Sequence, residues 1–216
     1  MIHLVENHYT HPDRRLVETM FEDRKRLFVD LFGWEVPVID GRFEMDEFDR
    51  ADTIYVIAAN ADGTHAASMR LMPSTRPHLL GCKFAHLCPG GVPVDQSTWE
   101  SARLCLPQRH GAELRRQLRN ALISAMIDFA LGREIDRFTG VIPENFRKEV
   151  LSMGWLAEPL GPVVHIPGGP VGAFAIHVRP DTPDRLRWTG VYVPDMLHAS
   201  PTSHGRTQRS FAEGAA

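Results

Sequence analysis

Three cysteines in 216 residues, Cys82, Cys88 and Cys105, are too few and too irregularly spaced for a disulfide framework or a CxxC metal site. No metal is therefore expected, and a reducing cytoplasm is the simplest setting. A charge bias is also missing. Asp and Glu number 27 against 24 Lys and Arg, a formal net charge of −3. That balance gives no support to a general nucleic-acid or membrane-surface binder, while leaving room for local basic patches. The opening MIHLVENHYTHPDRR has no apolar h-region, so no secretory signal is expected. The longest stretch without Asp, Glu, Lys or Arg, Pro159 to Val178, carries Pro159, Pro162, Pro167, Pro170 and four glycines. It cannot be one membrane helix and reads as loops and short strands.

What remains is ordinary globular composition, 43% hydrophobic and 24% charged, in a chain long enough to bury a core without staples. A single α/β (α+β) layer domain is expected over residues 1–193. The small, polar stretch 194–216 reads as a disordered tail.

Periodicity predicts a helix over Arg14 to Phe32, with Val17, Met20, Leu27, Phe28 and Leu31 on one stripe and Gly33 as its stop. Asp52 to Ala59 and Thr64 to Met72 read as strands joined by a turn containing Asp-Gly. Gly41 to Arg50 reads as a loop, and Pro73 to Pro93 as a long irregular connection. Thr98 to Leu106 is a third strand. Helices over Gly111 to Gly132 and from Pro143 to Met153 flank a strand at Arg137 to Ile142. A late strand runs from Gly172 to Arg179.

Charge in apolar places carries the chemistry. Arg24 lies on the apolar stripe of its helix. It either snorkels or needs carboxylate partners, because an unpaired buried guanidinium is too costly to keep. Glu44, Asp46, Glu47 and Asp49 fall within six residues, interleaved with Phe43 and Phe48. Arg70 and Arg103 interrupt apolar or small-residue strands. Two unit charges 4 Å apart attract by about 4 kcal/mol at an effective dielectric of about 20, so such a cluster can hold itself together. It can also hold a zwitterion. Phe28 and Trp34, close by in sequence, are either plain core or faces for a sulfonium and a purine. Glu100 and Arg103 would face opposite sides of a regular strand, so a shared pocket requires a β-bulge between them.

Taken in order, these residues resemble the acyl-homoserine-lactone (autoinducer) synthases. Arg24, Phe28, Trp34 with Val36, and Glu44-x-Asp46-x-Phe48-Asp49 open the match. Arg70-Leu71-Met72-Pro73-Ser74, Phe84, Trp99-Glu100-Ser101-x-Arg103, Gly154-Trp155 and Pro159-Leu160-Gly161 continue it. The resemblance covers roughly residues 15 to 165. Asp23, Leu31 and Ser74 depart from the usual pattern without touching the charged core.

The resemblance implies a GNAT-like three-layer fold, its central mixed sheet splayed to admit a pantetheine arm. It implies two substrates, S-adenosylmethionine and an acyl thioester on acyl carrier protein or coenzyme A. Both are consumed, so no cofactor is expected. N-acylation and lactonisation would release methylthioadenosine, with Glu100 as general base and Arg103 beside it. Arg24, Phe28, Trp34, Asp46, Asp49, Arg70 and Phe84 would bind S-adenosylmethionine, Phe28, Trp34 and Phe84 enclosing its adenosyl and sulfonium end. Thr139, Val141 and Ile142 would line the acyl pocket. Gln108-Arg109-His110-Gly111 half-matches a pyrophosphate loop, whereas Arg109, Arg115, Arg116 and Arg119 form a basic face suited to an acidic carrier protein, which is the preferred expectation. The alternative activity is a GNAT-like N-acyltransferase using acyl-CoA and another amine.

Overall fold

The computed structural model describes residues 1–194. The expected tail from 195 onward lies outside the described residues. In chain order the elements are β1 (Ile2–Glu6), α1 (Arg14–Arg24), a π-helical segment (Lys25–Leu31), β2 (Val38–Ile39), β3 (Phe43–Glu44), β4 (Ile54–Ala59), β5 (His65–Pro73) and α2 (Leu79–Lys83). They continue with β6 (Thr98–Cys105), α3 (Ala112–Gly132), β7 (Arg137–Pro143), α4 (Glu144–Leu151), β8 (Leu156–Pro159), β9 (Val164–Ile166), β10 (Gly169–His177) and α5 (Thr182–Trp188).

One mixed sheet runs β1-β4-β5-β6-β7-β10-β8, with β9 added to β10. Only β6 and β7 are parallel, since α3 carries the chain back across the sheet between them. The others pair antiparallel. β4 shows how the layers form. Its apolar run is buried on both faces. Ile54, Val56 and Ala58 join the main core with Leu122, Met126 and Phe129 of α3, whereas Tyr55 and Ile57 pack with Leu16, Val17, Met20 and Phe21 of α1. Period-two alternation thus gives a helix layer on each face of the sheet.

Two local departures from regularity position the site. The helix capped by Asp13, whose carboxylate accepts from Leu16 N at 3.0 Å, changes from α to π after Arg24. The single long helix expected from periodicity is therefore two segments. The wider winding carries Leu31 off the core stripe, leaving it 55% exposed. The second departure is between β6 and β7. They pair only through Thr98, Glu100 and the residue between, against Arg137 to Thr139. Beyond that point the two strands no longer share register, which is the expected splay. Gly140 sits at the parting. A Cβ there would lie 2.7 Å from the Ser101 carbonyl oxygen.

Several stretches carry short elements that the sequence pattern does not resolve. β1 pairs with β4 at the sheet edge, where its own pattern is too short to signal a strand. Residues 41–50 contribute β3, a two-residue pairing with β2. The long connection holds α2 and a 3₁₀ turn at Ala85–Leu87, and α5 follows β10.

Candidate active site

Arg24, in the last turn of α1, is 1% exposed. Its Nε donates to Glu44 at 2.6 Å, and Nη1 and Nη2 donate to the two oxygens of Asp49 at 2.8 and 2.9 Å. Arg70 of β5 donates to Asp46 at 2.6 and 3.2 Å and to Asp49 at 2.9 Å. Arg103 of β6 donates to Glu44 at 3.1 and 3.0 Å and to Asp46 at 2.7 Å. Three guanidiniums and three carboxylates thus close a ring, each carboxylate shared by two arginines. The structure rules out snorkelling for Arg24. Glu44 is the site member that a reading centred on the aspartates passes over, although it lies in the same acidic run. Glu47, from that run, turns outward to Lys83 at 2.8 Å.

The electrostatics follow from burial and pairing together. Burial pulls the Arg24 pKa down, but the charges of Asp49 and Glu44 overcome it and hold it well above its ordinary value. For Asp49 burial works upward, and Arg24 and Arg70 drive it well below the usual carboxylate range. Tyr55 adds a hydroxyl donated to Asp49 at 2.6 Å. Arg103 is the exception, with burial outweighing Glu44 and leaving its pKa lowered.

Arg103 also has a positive φ of 51°. Ser68 pairs with Cys105 and Arg70 with Ala102, so β6 carries an extra residue at this place. That is the bulge which a shared pocket requires, and it turns the Arg103 side chain onto the carboxylate ring. The Arg103 guanidinium lies over the rings of Phe28 and Trp34, 5.6 and 5.9 Å from their centres. Those two rings stack at 4.8 Å with a 7° tilt. Trp34 is 36% exposed, so the stack reaches the surface.

Glu100 is 0% exposed and stands apart from this ring. Its two oxygens accept from Leu79 N and Leu80 N, each at 2.7 Å, at the start of α2. Burial raises its pKa against the opposing pull of those N–H groups, His78 and Arg70. Thr139 is its register partner on β7, fully buried, with a hydroxyl that has no hydrogen-bond partner among the described residues.

Three groups of expected site residues lie away from the charged ring. Phe84 sits apart from the Phe28–Trp34 stack and packs with Leu80, Leu87, Val141 and Ala173. Ile142 does not share a face with Thr139 and Val141. Strand alternation turns it into the main core beneath α3, so only Thr139 and Val141 face the splayed side. The basic face is largely neutralised. Arg109 is held by Asp23 at 2.6 and 2.7 Å, Arg116 by Glu113 at 2.6 Å and Arg119 by Glu149 at 3.1 Å. Arg115 alone of the four makes no ion pair among the described residues. Among those residues, too, no group of three or more His, Cys, Asp or Glu is arranged to hold a metal ion. No described helix is long and apolar enough to cross a membrane.

Residues 7–167 match the family model described as autoinducer synthase. The chain is 37% identical over 166 residues to an acyl-homoserine-lactone synthase of Ralstonia nicotianae, covering 74% of this chain and 80% of that protein. It superposes at a TM-score of 0.81 and 26% identity on the CoA-dependent acyl-homoserine lactone synthase BjaI, solved with SAM and isopentyl-CoA, covering 93% of each chain. TofI, solved in a ternary complex with an inhibitor and MTA, superposes at a TM-score of 0.72 and 26% identity over 91% of this chain and all of that one. With the charged ring, the aromatic stack and the splayed sheet in place, this chain belongs to the autoinducer synthase family.

Proposed function

We propose that this protein acylates the α-amine of S-adenosylmethionine from an acyl thioester and then closes the lactone, releasing N-acyl-homoserine lactone, methylthioadenosine and free thiol. The observation that carries the reading is the Arg24–Glu44–Arg103–Asp46–Arg70–Asp49 ring beside the Phe28–Trp34 stack. A zwitterion fits such a ring because Arg103 and Asp46 can each turn one contact toward it while keeping the others. The open face of Trp34 suits the sulfonium and the purine. An acyltransferase using another amine would not need this ring or the stack.

Glu100 is our candidate for the base that takes the proton the ammonium must lose before attack, directly or through one water. Its raised pKa makes the carboxylate a better base than an exposed glutamate. Arg103 and Leu104 have no register partner on β5, so the backbone N–H after Arg103 is our candidate donor to the tetrahedral oxyanion. Lactonisation asks mainly for positioning, since a sulfonium already leaves readily. The acyl chain would follow the splay past Thr139 and Val141 toward the Phe84 cluster.

The acyl donor carries its chain on a pantetheine arm, which coenzyme A and acyl carrier protein both present. Ion pairing of Arg109, Arg116 and Arg119 removes most of the support for a broad carrier-protein face, leaving Arg115. Assaying both thioesters of one acyl chain tests this. A carrier protein predicts that Arg115→Glu raises its apparent KM, more so at low salt. Coenzyme A held at the start of α3 predicts that Arg115→Glu matters little and Gly111→Pro greatly.

A further inference from the structure

We propose that Phe32 is the wall of the S-adenosylmethionine site that tells a sulfonium from a neutral thioether. The inference deepens the synthase reading and rests on it. Three aromatic rings gather where the π-helical segment ends. Phe28 and Trp34 stack, and Phe32 flanks the pair, its centre 6.3 Å from Phe28 and 5.9 Å from Trp34. Its plane is tilted 51° to the first and 48° to the second, so it stands across the stack as a separate wall and not as a third layer.

The backbone sets this corner. Phe32 N donates to Leu27 O at 3.1 Å, five residues back, and Trp34 N donates to Phe28 O at 2.9 Å, six residues back. Gly33 between them has a φ of 67°, the left-handed conformation that lets the chain reverse there. The wide winding and the reversal together bring the rings on either side of Gly33 into contact. Wide-wound helical segments of this kind concentrate at functional sites.

Where cations already lie decides which ring is free to meet another. The Arg103 guanidinium covers Phe28 and Trp34, at 5.6 and 5.9 Å. A second cation on those same faces would be repelled at close range. Phe32 has no Lys or Arg over its ring among the described residues, and it is 50% exposed. A half-exposed phenylalanine is ordinary by itself. What singles Phe32 out is a free face beside a stack that already carries a cation.

The substrate has a charge to put there. In S-adenosylmethionine the sulfonium lies between the amino-acid half, which suits the charged ring, and the planar purine, which suits Trp34. The sulfonium between them takes the Phe32 face, where the ring quadrupole attracts a cation. S-Adenosylhomocysteine keeps both halves but carries a neutral sulfur, which retains only the weaker sulfur–aromatic contact. The distinction matters for closing the lactone. A carboxylate oxygen forms the new C–O bond, and the C–S bond breaks with its electron pair going to sulfur. Only a sulfonium leaves readily in that step, so a ligand with neutral sulfur would fill the site without closing. The same step turns the sulfonium into the neutral thioether methylthioadenosine, which loses the cation attraction and is released.

The test measures KM for S-adenosylmethionine and the competitive inhibition constant of S-adenosylhomocysteine side by side, on the full chain at one saturating acyl thioester. Phe32→Leu keeps apolar bulk and removes the quadrupole. It should raise KM for S-adenosylmethionine roughly fivefold, with the inhibition constant and kcat each changed less than about twofold. Equal weakening of both ligands, the result of a packing role alone, overturns the proposal, as does an unchanged KM. Phenylalanine carrying one, two or three ring fluorines at position 32 weakens the quadrupole at nearly constant shape. KM for S-adenosylmethionine should rise stepwise along that series, and a flat series overturns the proposal. If the unmodified protein turns over S-adenosylmethionine and Phe32→Leu keeps the ratio of the two constants, only this inference fails. If the unmodified protein makes neither lactone nor methylthioadenosine, the synthase reading fails and this inference with it.

Discussion

Arg24 and Asp49 meet fork to fork, two N–H groups on two carboxylate oxygens, with both side chains out of reach of water. Asp49 also receives Arg70 and the Tyr55 hydroxyl, so one carboxylate ties α1, β4 and β5 together. Asp49→Asn should therefore cost both stability and activity. Leaving buried guanidiniums underpaired is worth about 3–5 kcal/mol, read as a lowered unfolding free energy in denaturant titrations. Arg24→Ala should do the same. Either variant retaining wild-type stability would show that the ring is solvated in solution.

Glu100→Gln should reduce turnover by roughly 10²–10⁴, with folding largely retained. The structure adds a cost to this nearly isosteric change. Both oxygens accept backbone N–H groups, and the amide nitrogen of glutamine cannot accept either. One N–H of α2 loses its partner, a penalty of about 1–3 kcal/mol that thermal melting should register. The pH profile gives an independent check. A base with a raised pKa is lost as pH falls, so the ascending limb of kcat/KM should lie above the ordinary glutamate range. A limb at or below that range contradicts the assignment.

Trp34 separates binding from stability. It is partly exposed and stacks on Phe28 beneath Arg103, so Trp34→Ala should change unfolding free energy by less than about 1 kcal/mol. It should raise KM for S-adenosylmethionine roughly tenfold if the open face holds the sulfonium end. Trp34→Phe should recover most of that loss. An unchanged KM in Trp34→Ala would remove the aromatic stack from the binding site.

His8 sets an acid limit on the fold. It is buried against Tyr9, Phe21 and Tyr55, and desolvation lowers its pKa to about 4. The unfolded chain binds this proton first as pH falls. The stability contribution is therefore whole above pH 6.5 and is lost between there and pH 4, on the order of 2 kcal/mol after allowing for solvent screening. His8→Phe should flatten that part of the stability curve. An equally steep curve in the variant would assign the acid sensitivity elsewhere, for instance to His65, whose pKa burial also lowers.

Arg24 on an apolar stripe, the acidic run from 44 to 49, and the two strand arginines make the ring legible in the sequence, because charge at apolar positions demands partners. The bulge at Arg103 is legible only as a condition, since period two puts Glu100 and Arg103 on opposite sides unless an extra residue lies between them. Other features depend on tertiary geometry that no local pattern carries. The α-to-π change after Arg24 leaves the apolar spacing intact, so Leu31 reads as core while it lies exposed. Ile142 and Val141 are equally apolar, and only the register with β10 decides which faces the core. Arg109 and Arg119 read as part of a basic face because their partners, Asp23 and Glu149, are distant in sequence, whereas the Arg116–Glu113 pair lies within one turn of α3.

The most direct measurement is product analysis by mass spectrometry from purified protein given S-adenosylmethionine and one acyl chain on each carrier. The account predicts N-acyl-homoserine lactone and methylthioadenosine in equal amounts, matched by free thiol, with at least one carrier. Thiol release without methylthioadenosine, or an acylated amine that never closes to a lactone, would contradict it.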